Sequence, residues 1–420
     1  MGTSHNRVVA LAAGLAVTTT LVVAPTATAA PAASGIKITA HALSGRYPVG
    51  TTDLHLVDEA RQDPWHPARK RELMVTVTYP AKRDGQRAGW MTPGVVPSLD
   101  ALASEPDLLD LPTGTVDWAG SKRQARTGAT ADRSGDWPVV VFSHGYGGAR
   151  ELNVALTDDL ASRGYVVASI SHTGEAAGVE FPDGRVVLSA VDQQHDPRAK
   201  LALDTRVADS RFVLDELTRL ERGDNPDAER DPLPRGLAGS LDLTKVGIYG
   251  HSYGGYSAAE TMFFDRRFDA GINVDGSMAW DVDEYGEAVK HGLDRPFMLV
   301  GGDLVDPGTG EVFEHSHLDT RLDPTWGAFW AKQRGWKRDL HFDKSTHYSF
   351  TDLQVAAPQL VSVLKPGKKE ELVGEIDAKR SLAAQHDYFG GFFDHHLKRR
   401  DGRLFGPAGP ACHPDTRFIA

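Results

Sequence analysis

The chain has 420 residues, 46 Lys and Arg against 57 Asp and Glu, a formal net charge of −11, and a single cysteine, Cys412. An acidic balance argues against a polyanion such as nucleic acid as the main ligand. One cysteine excludes an internal disulfide, so stability has to come from burial.

The first residues, MGTSHNRVVALAAGLAVTTTLVVAPTATAA, pair Arg7 with an apolar run from Val8 to Val23 and a small-residue Ala27-Thr28-Ala29 cleavage signal. Residues 1–29 are therefore expected to be a secretory signal peptide and the product extracellular. The apolar run, interrupted by three threonines, is too short for a permanent anchor. Residues 36–420 are expected to be one domain. HALSGRYPVGTTDLHLVD and RELMVTVTYPA are β-rich and predict an antiparallel start to a sheet. Residues 87–137 are turn-rich with at most short helices and read as an insertion.

The texture then changes. WPVVVFSHG is a continuous apolar run ending in glycine, as a buried parallel strand should be. ELNVALTDDLASRG has helical spacing, YVVASISH is strand-like, and DTRVADSRFVLDELTRLE is a helix that leads to the strand TKVGIYGHS. Alternation continues through SAAETMFF, GINVDGS, RPFMLVGGD, DPTWGAFWAKQRG and KRDLHFD. This rhythm predicts an α/β fold with a mostly parallel sheet covered on both faces. Residues 365–420 form a mostly helical extension expected to pack back on the sheet.

Gly250-His251-Ser252-Tyr253-Gly254 lies between a strand and a helix, the context in which a G-x-S-x-G serine acts as a nucleophile. A serine hydroxyl needs a base, and the base needs an orienting acid. In this architecture the order is serine, acid, histidine. His347 comes after the last parallel strand in a polar loop and is the expected base. His341, inside the strand, is expected to be half-exposed and structural, and His395 and His396 to be solvated or capping. For the acid, Asp275 and Asp303 end successive strands and the pattern leaves both open, with Asp306 an outsider. The oxyanion donors are expected to be the backbone N–H groups of Tyr253, next after the serine, and of Tyr146 in the glycine-rich SHGYGG.

YPVGTTDL, VVVFSHGYGG, GIYGHSYGG, GINVDGS and STHYSFTDL together resemble the secreted platelet-activating-factor acetylhydrolases, the isoform II, lipoprotein-associated type of α/β-hydrolase, from about Val49 to about Leu353. In that family the acid lies about two dozen residues past the serine; Asp275 is 23 past Ser252. The resemblance implies Asp275 as the acid and Tyr146 and Tyr253 as the oxyanion hole. It also implies a cofactor-free, calcium-independent serine esterase for short or oxidised acyl esters.

Two other hydrolase readings stand beside it. A prolyl-oligopeptidase-like peptidase shares the Ser-Tyr-Gly-Gly-Tyr run but needs an N-terminal propeller. A polyester or cutin-type hydrolase would use the same core with an open cleft. Outside enzymology, a dead scaffold that only binds would lack a catalytic element. The expected partner is a small-molecule or lipid ester, with transient contact at a lipid surface and no obligate protein partner.

Other constellations carry structural expectations. His315-Ser316-His317 has a metal-like spacing but reads as a solvated loop. His172 is expected to cap a strand end, and Trp326, Phe329 and Trp330 to be core. Tyr388, Phe389, Phe392 and Phe393 read equally as helix packing or as an interfacial patch.

Overall fold

The computed structural model describes residues 35–191, 197–306, 308–406 and 409–420; the expected leader lies outside them. The main sheet is built from β1 (Val49–Gln62), β2 (Lys70–Pro80), β3 (Gln86–Gly89), β4 (Lys122–Thr127), β5 (Trp137–Ser143), β6 (Val166–Ser171), β7 (Leu241–His251), β8 (Ala270–Val274), β9 (Phe297–Gly301), β10 (Lys337–Phe342) and β11 (Thr416–Phe418). Among the described residues their spatial order is β11-β10-β9-β8-β7-β5-β6-β2-β1-β4-β3. Six neighbours, β6-β5-β7-β8-β9-β10, run parallel. The early β1 and β2 pair antiparallel with each other, as the sequence leads one to expect, and β2 also pairs antiparallel with β6.

A parallel sheet with helices on both faces needs strands that are apolar on both sides. β5 meets that demand, with all seven residues buried. Its Val139 and Val141 pack with Val246, Ile248 and helices α3 (Ala199–Glu221) and α4 (Tyr253–Phe264). Val140 and Phe142, pointing the other way because strand side chains alternate, pack with α2 (Val154–Ser162) and the terminal helix α6 (Ala378–His396). Tyr388, Phe389, Phe392 and Phe393 of α6 are fully buried in that layer, which decides for packing and against a surface patch. Trp326 and Phe329 of α5 (Thr325–Lys332) are likewise core, with Trp330 partly buried beside them. Asp377 caps α6 by accepting from the Arg380 N–H.

Residues 87–137 are more ordered than their turn-rich composition predicts. They hold β3, β4 and the short helix α1 (Val96–Ala103), and Trp90, Met91, Leu99, Leu109 and Trp118 form a cluster with Val154 and Leu353. The tail also departs from expectation, since β11 returns to pair antiparallel with β10. Apart from the two-stranded hairpin of Gly178–Glu180 and Val186–Leu188, the strands before Ser252 belong to this one sheet, so the propeller that a prolyl-oligopeptidase requires is not there among the described residues. No helix of the described residues is long and apolar enough to cross a membrane.

Candidate active site

The carboxyl ends of the parallel strands share one edge, where open α/β sheets place their ligands. β7 delivers Ser252, β8 Asp275, β9 Asp303 and β10 the loop with His347. The pairing continues one step beyond the strands, because the Ser252 N–H donates to Val274 O and the Asp275 N–H to Val300 O, both at 2.7 Å. Both residues sit at positive φ, Ser252 at 56° and Asp275 at 55°. Strain of this kind costs about 1–3 kcal/mol per residue and concentrates at functional sites.

The serine turn has no room for side chains at its glycines. A Cβ on Gly254 would lie 2.0 Å from the Ser143 carbonyl oxygen, and one on Gly250 would lie 2.1 Å from the Gly254 carbonyl carbon. Gly254→Ala is therefore expected to destabilise the protein by about 3 kcal/mol and to abolish esterase activity, since the turn that aims Ser252 must open. Thermal unfolding and an ester assay check both parts.

His347 donates from Nδ1 to Asp275 Oδ2 at 2.6 Å. The other carboxylate oxygen, Oδ1, accepts from the Gly302 N–H at 3.1 Å and from His315 Nδ1 at 2.8 Å. Burial alone would raise the Asp275 pKa, but the two histidines hold it well below the ordinary carboxylate range. Ser252 and His347 line the same cavity. Among the described residues no hydrogen bond joins their side chains; such contacts commonly tighten only as substrate binds.

His251, between the motif's first glycine and the serine, has a structural task. Its Nε2–H donates to the His347 carbonyl at 2.9 Å, and the two rings lie 4.4 Å apart. Burial, reinforced by His347, pushes its pKa down to about 3, so it stays neutral.

The glycine-rich loop after β5 is held from below by a buried arginine. Arg206 pairs with Glu175 and donates to the His144 carbonyl and, at 3.2 Å, to the Gly145 carbonyl. Gly148 N–H also donates to Gly145 O, at 3.0 Å. In a trans peptide the C=O and the next N–H point in opposite directions, so anchoring Gly145 O turns the Tyr146 N–H away from Arg206. Tyr146 and Tyr253 meet edge to face at 5.2 Å.

Several expectations are corrected here. Asp303 does not reach His347; its carboxylate takes His341 Nε2 at 3.0 Å and the Lys344 N–H at 3.1 Å. Asp306 caps its own turn by accepting from Gly308 and Thr309. His341 is 1% exposed rather than half-exposed. His315 and His317 are not in a solvated loop but are buried, because each ring is matched to a carboxylate: His317 to Asp339, His315 to Asp275 and Asp323. His172 is a satisfied strand-end histidine, in line with expectation, bonded to Ser143 Oγ and Asp209. His395 bonds the Arg400 carbonyl, and Cys412 is exposed and free. The buried Arg206 and Glu175 carry no motif that would single them out.

The family model for platelet-activating factor acetylhydrolase, isoform II, matches residues 33–402. The chain belongs to this family. The match reaches beyond the stretch 49–353 that the motifs cover and takes in both 87–137 and much of the tail. A probable 1-alkyl-2-acetylglycerophosphocholine esterase of Arthroderma benhamiae is 27% identical over 312 residues, 72% of this chain and 70% of the relative. The platelet-activating factor acetylhydrolase of Cavia porcellus is 25% identical over 376 residues, 83% of this chain and 77% of that protein. Among solved structures, a ferulic acid esterase from Streptomyces cinnamoneus superposes with a TM-score of 0.69 at 34% identity, covering 91% of this chain and 99% of that one. The chain is thus an α/β-hydrolase and a serine hydrolase of carboxylic esters.

In this acetylhydrolase-family chain the cavity over Ser252 has a volume of about 110 Å³. Its far wall comes from the segment after β3, through Met91, Leu99, Leu102, Leu108, Leu109 and Trp118. That wall is tied to the histidine loop by Asp352, which accepts from Trp90 Nε1 and from the Val154 and Ala155 N–H groups at the start of α2. Burial raises the Asp352 pKa to about 7 against the pull of those three donors.

Proposed function

We propose that the chain is an exported esterase for short or oxidatively shortened acyl esters, with Ser252 as nucleophile, His347 as base and Asp275 as its orienting acid. The observation that carries this reading is that Ser252, at the end of β7, and His347, in the loop after β10, line one small apolar cavity while the buried Asp275, at the end of β8, holds His347 Nδ1 from behind. Ser252 Oγ attacks the ester carbonyl while His347 Nε2 takes its proton. Asp275 keeps the proton on Nδ1, so the nitrogen facing the serine is the basic one. The backbone N–H groups of Tyr146 and Tyr253 receive the developing oxyanion. His347 then protonates the leaving alcohol, and water releases the acyl group by the same route in reverse.

The cavity supports a short acyl group. An apolar void of roughly 150 Å³ holds a benzene-sized guest, so a space of about 110 Å³ matches an acetyl or slightly longer chain. A second reading, a hydroxycinnamate esterase, is favoured by the fit to the ferulic acid esterase over nearly all of both chains. Hydrolysis of p-nitrophenyl esters from acetate to palmitate, with methyl ferulate alongside, separates the two. The expected result is a steep fall of kcat/KM beyond short chains; methyl ferulate turned over faster than the acetate would select the second reading, and a flat profile would select neither.

A further inference from the structure

Asp275 serves two histidines at once, and the second is not part of the proposed triad. His315 donates from Nδ1 to Asp275 Oδ1 at 2.8 Å and from Nε2 to Asp323 Oδ2 at 2.9 Å. An ionised carboxylate only accepts, so a ring facing carboxylates from both nitrogens needs a proton on each and is an imidazolium. The ring is 3% exposed on its side chain and stacks on Trp326, with centroids 3.9 Å apart and planes 22° from parallel, as a buried cation on an indole face would. Asp323 is fixed in turn by the Thr325 N–H at 2.8 Å, and Trp326 Nε1 donates to Gly276 O, next after Asp275. The start of α5 therefore grips the acid loop through side chain and backbone together.

We propose that His315 is a positioning residue whose fixed positive charge, balanced by Asp323, both orients the Asp275 carboxylate and sets how much of its charge is left for His347. This rests on Asp275 and His347 acting as the acid and base of the proposed triad. The chain Asp275, His315, Asp323 carries a net charge of −1, spread away from His347. Without the imidazolium the pair Asp275 and Asp323 would carry −2 behind the base and hold its protonated, inactive form more tightly. Consistent with the geometry, the paired carboxylates outweigh burial and raise the His315 pKa to about 10. The other titratable groups packed on the pair add no opposing charge at neutral pH: His251 is neutral, and Tyr348 beside His347 and Tyr285 near Asp323 have their pKa values raised, to about 12 for Tyr348.

The test uses the full chain and p-nitrophenyl acetate. His315→Asn keeps a neutral donor toward Asp275 and removes the charge. The acid limb of its kcat/KM profile is expected to move to higher pH by roughly one unit, with much less change on the alkaline plateau. Adding Asp323→Asn restores the net charge of −1, and the limb is expected to return to the wild-type position. A residue that only fills space would give a double variant no better than the single, and an unmoved limb in His315→Asn overturns the proposal. Ser252→Ala in the same series separates the two levels: an active serine variant defeats the triad reading, whereas an inactive one with an unmoved limb in His315→Asn defeats only this inference. Should the variants fail to fold, ¹⁵N-histidine NMR of the wild-type protein decides. Two doubly protonated rings are expected at pH 8, because His55 also meets a carboxylate at each nitrogen, Glu229 and Glu72; a His55→Gln variant is expected to leave one, and none left in that variant overturns the proposal.

Discussion

Replacing Ser252 with alanine is expected to lower kcat on p-nitrophenyl acetate by about 10⁶-fold and to leave the fold intact. The size of the effect comes from the division of labour. Without the hydroxyl no acyl-enzyme forms, and His347 and Asp275 have nothing to activate. Binding and oxyanion stabilisation by a correctly placed water survive, on the order of 10³-fold over solution. Stability should change little, because the Ser252 backbone contacts, its N–H to Val274 O among them, do not involve the side chain. Initial rates, with circular dichroism melting alongside, test both halves. Activity within tenfold of wild type would remove Ser252 from the mechanism.

Asp275→Asn is expected to cost about 10⁴-fold in kcat, and Asp303→Asn less than a few-fold. The asymmetry is geometric. Asp275 holds His347 Nδ1–H, and an amide there can present its N–H₂ to that nitrogen, which stabilises the wrong tautomer and turns the protonated nitrogen toward the serine. It also leaves the buried His315 facing an amide in place of a charge. Asp303 holds His341 and the Lys344 N–H, so its substitution weakens the end of β10 by about 1 kcal/mol and touches the base only through the next loop. Equal losses in the two variants, or a loss confined to Asp303→Asn, would reverse the assignment. Single-turnover and steady-state assays on both proteins measure it.

Much of this site is legible in the sequence because its parts are local. A serine in a strand-glycine-helix turn announces itself within five residues, and a histidine after the last parallel strand is found by order alone. The choice between Asp275 and Asp303 is not local. Both end parallel strands on the same edge, and only the direction of each side chain separates them. Asp275, at φ 55°, reaches His347, while Asp303 opens a hairpin and turns to His341. His315 is harder still. The hairpin of Asp303–Val305 and Val312–Glu314 folds back so that the His315 N–H meets Gly302 O, bringing residues 13 apart into contact beneath the acid. Its sequence signal is an H-x-H with Asp323 a few residues on, but spacing suited to a metal says nothing of two carboxylates arriving from other elements. Arg206 reads as one more charge on an amphipathic helix, and only the tertiary fold places it under the loop that carries Tyr146.

Gly89 at the end of β3 pairs with Lys122 at the start of β4. Residues 90–121 thus leave and rejoin the sheet at a single rung, on the edge farthest from β7. The cavity wall is in effect a removable panel. The strands that aim the serine, acid and base lie outside it. Much of the apolar cavity wall and the strands that aim the serine are thereby carried on separate pieces of one chain, and the hydrogen bond from Trp90 to Asp352 is a latch between them.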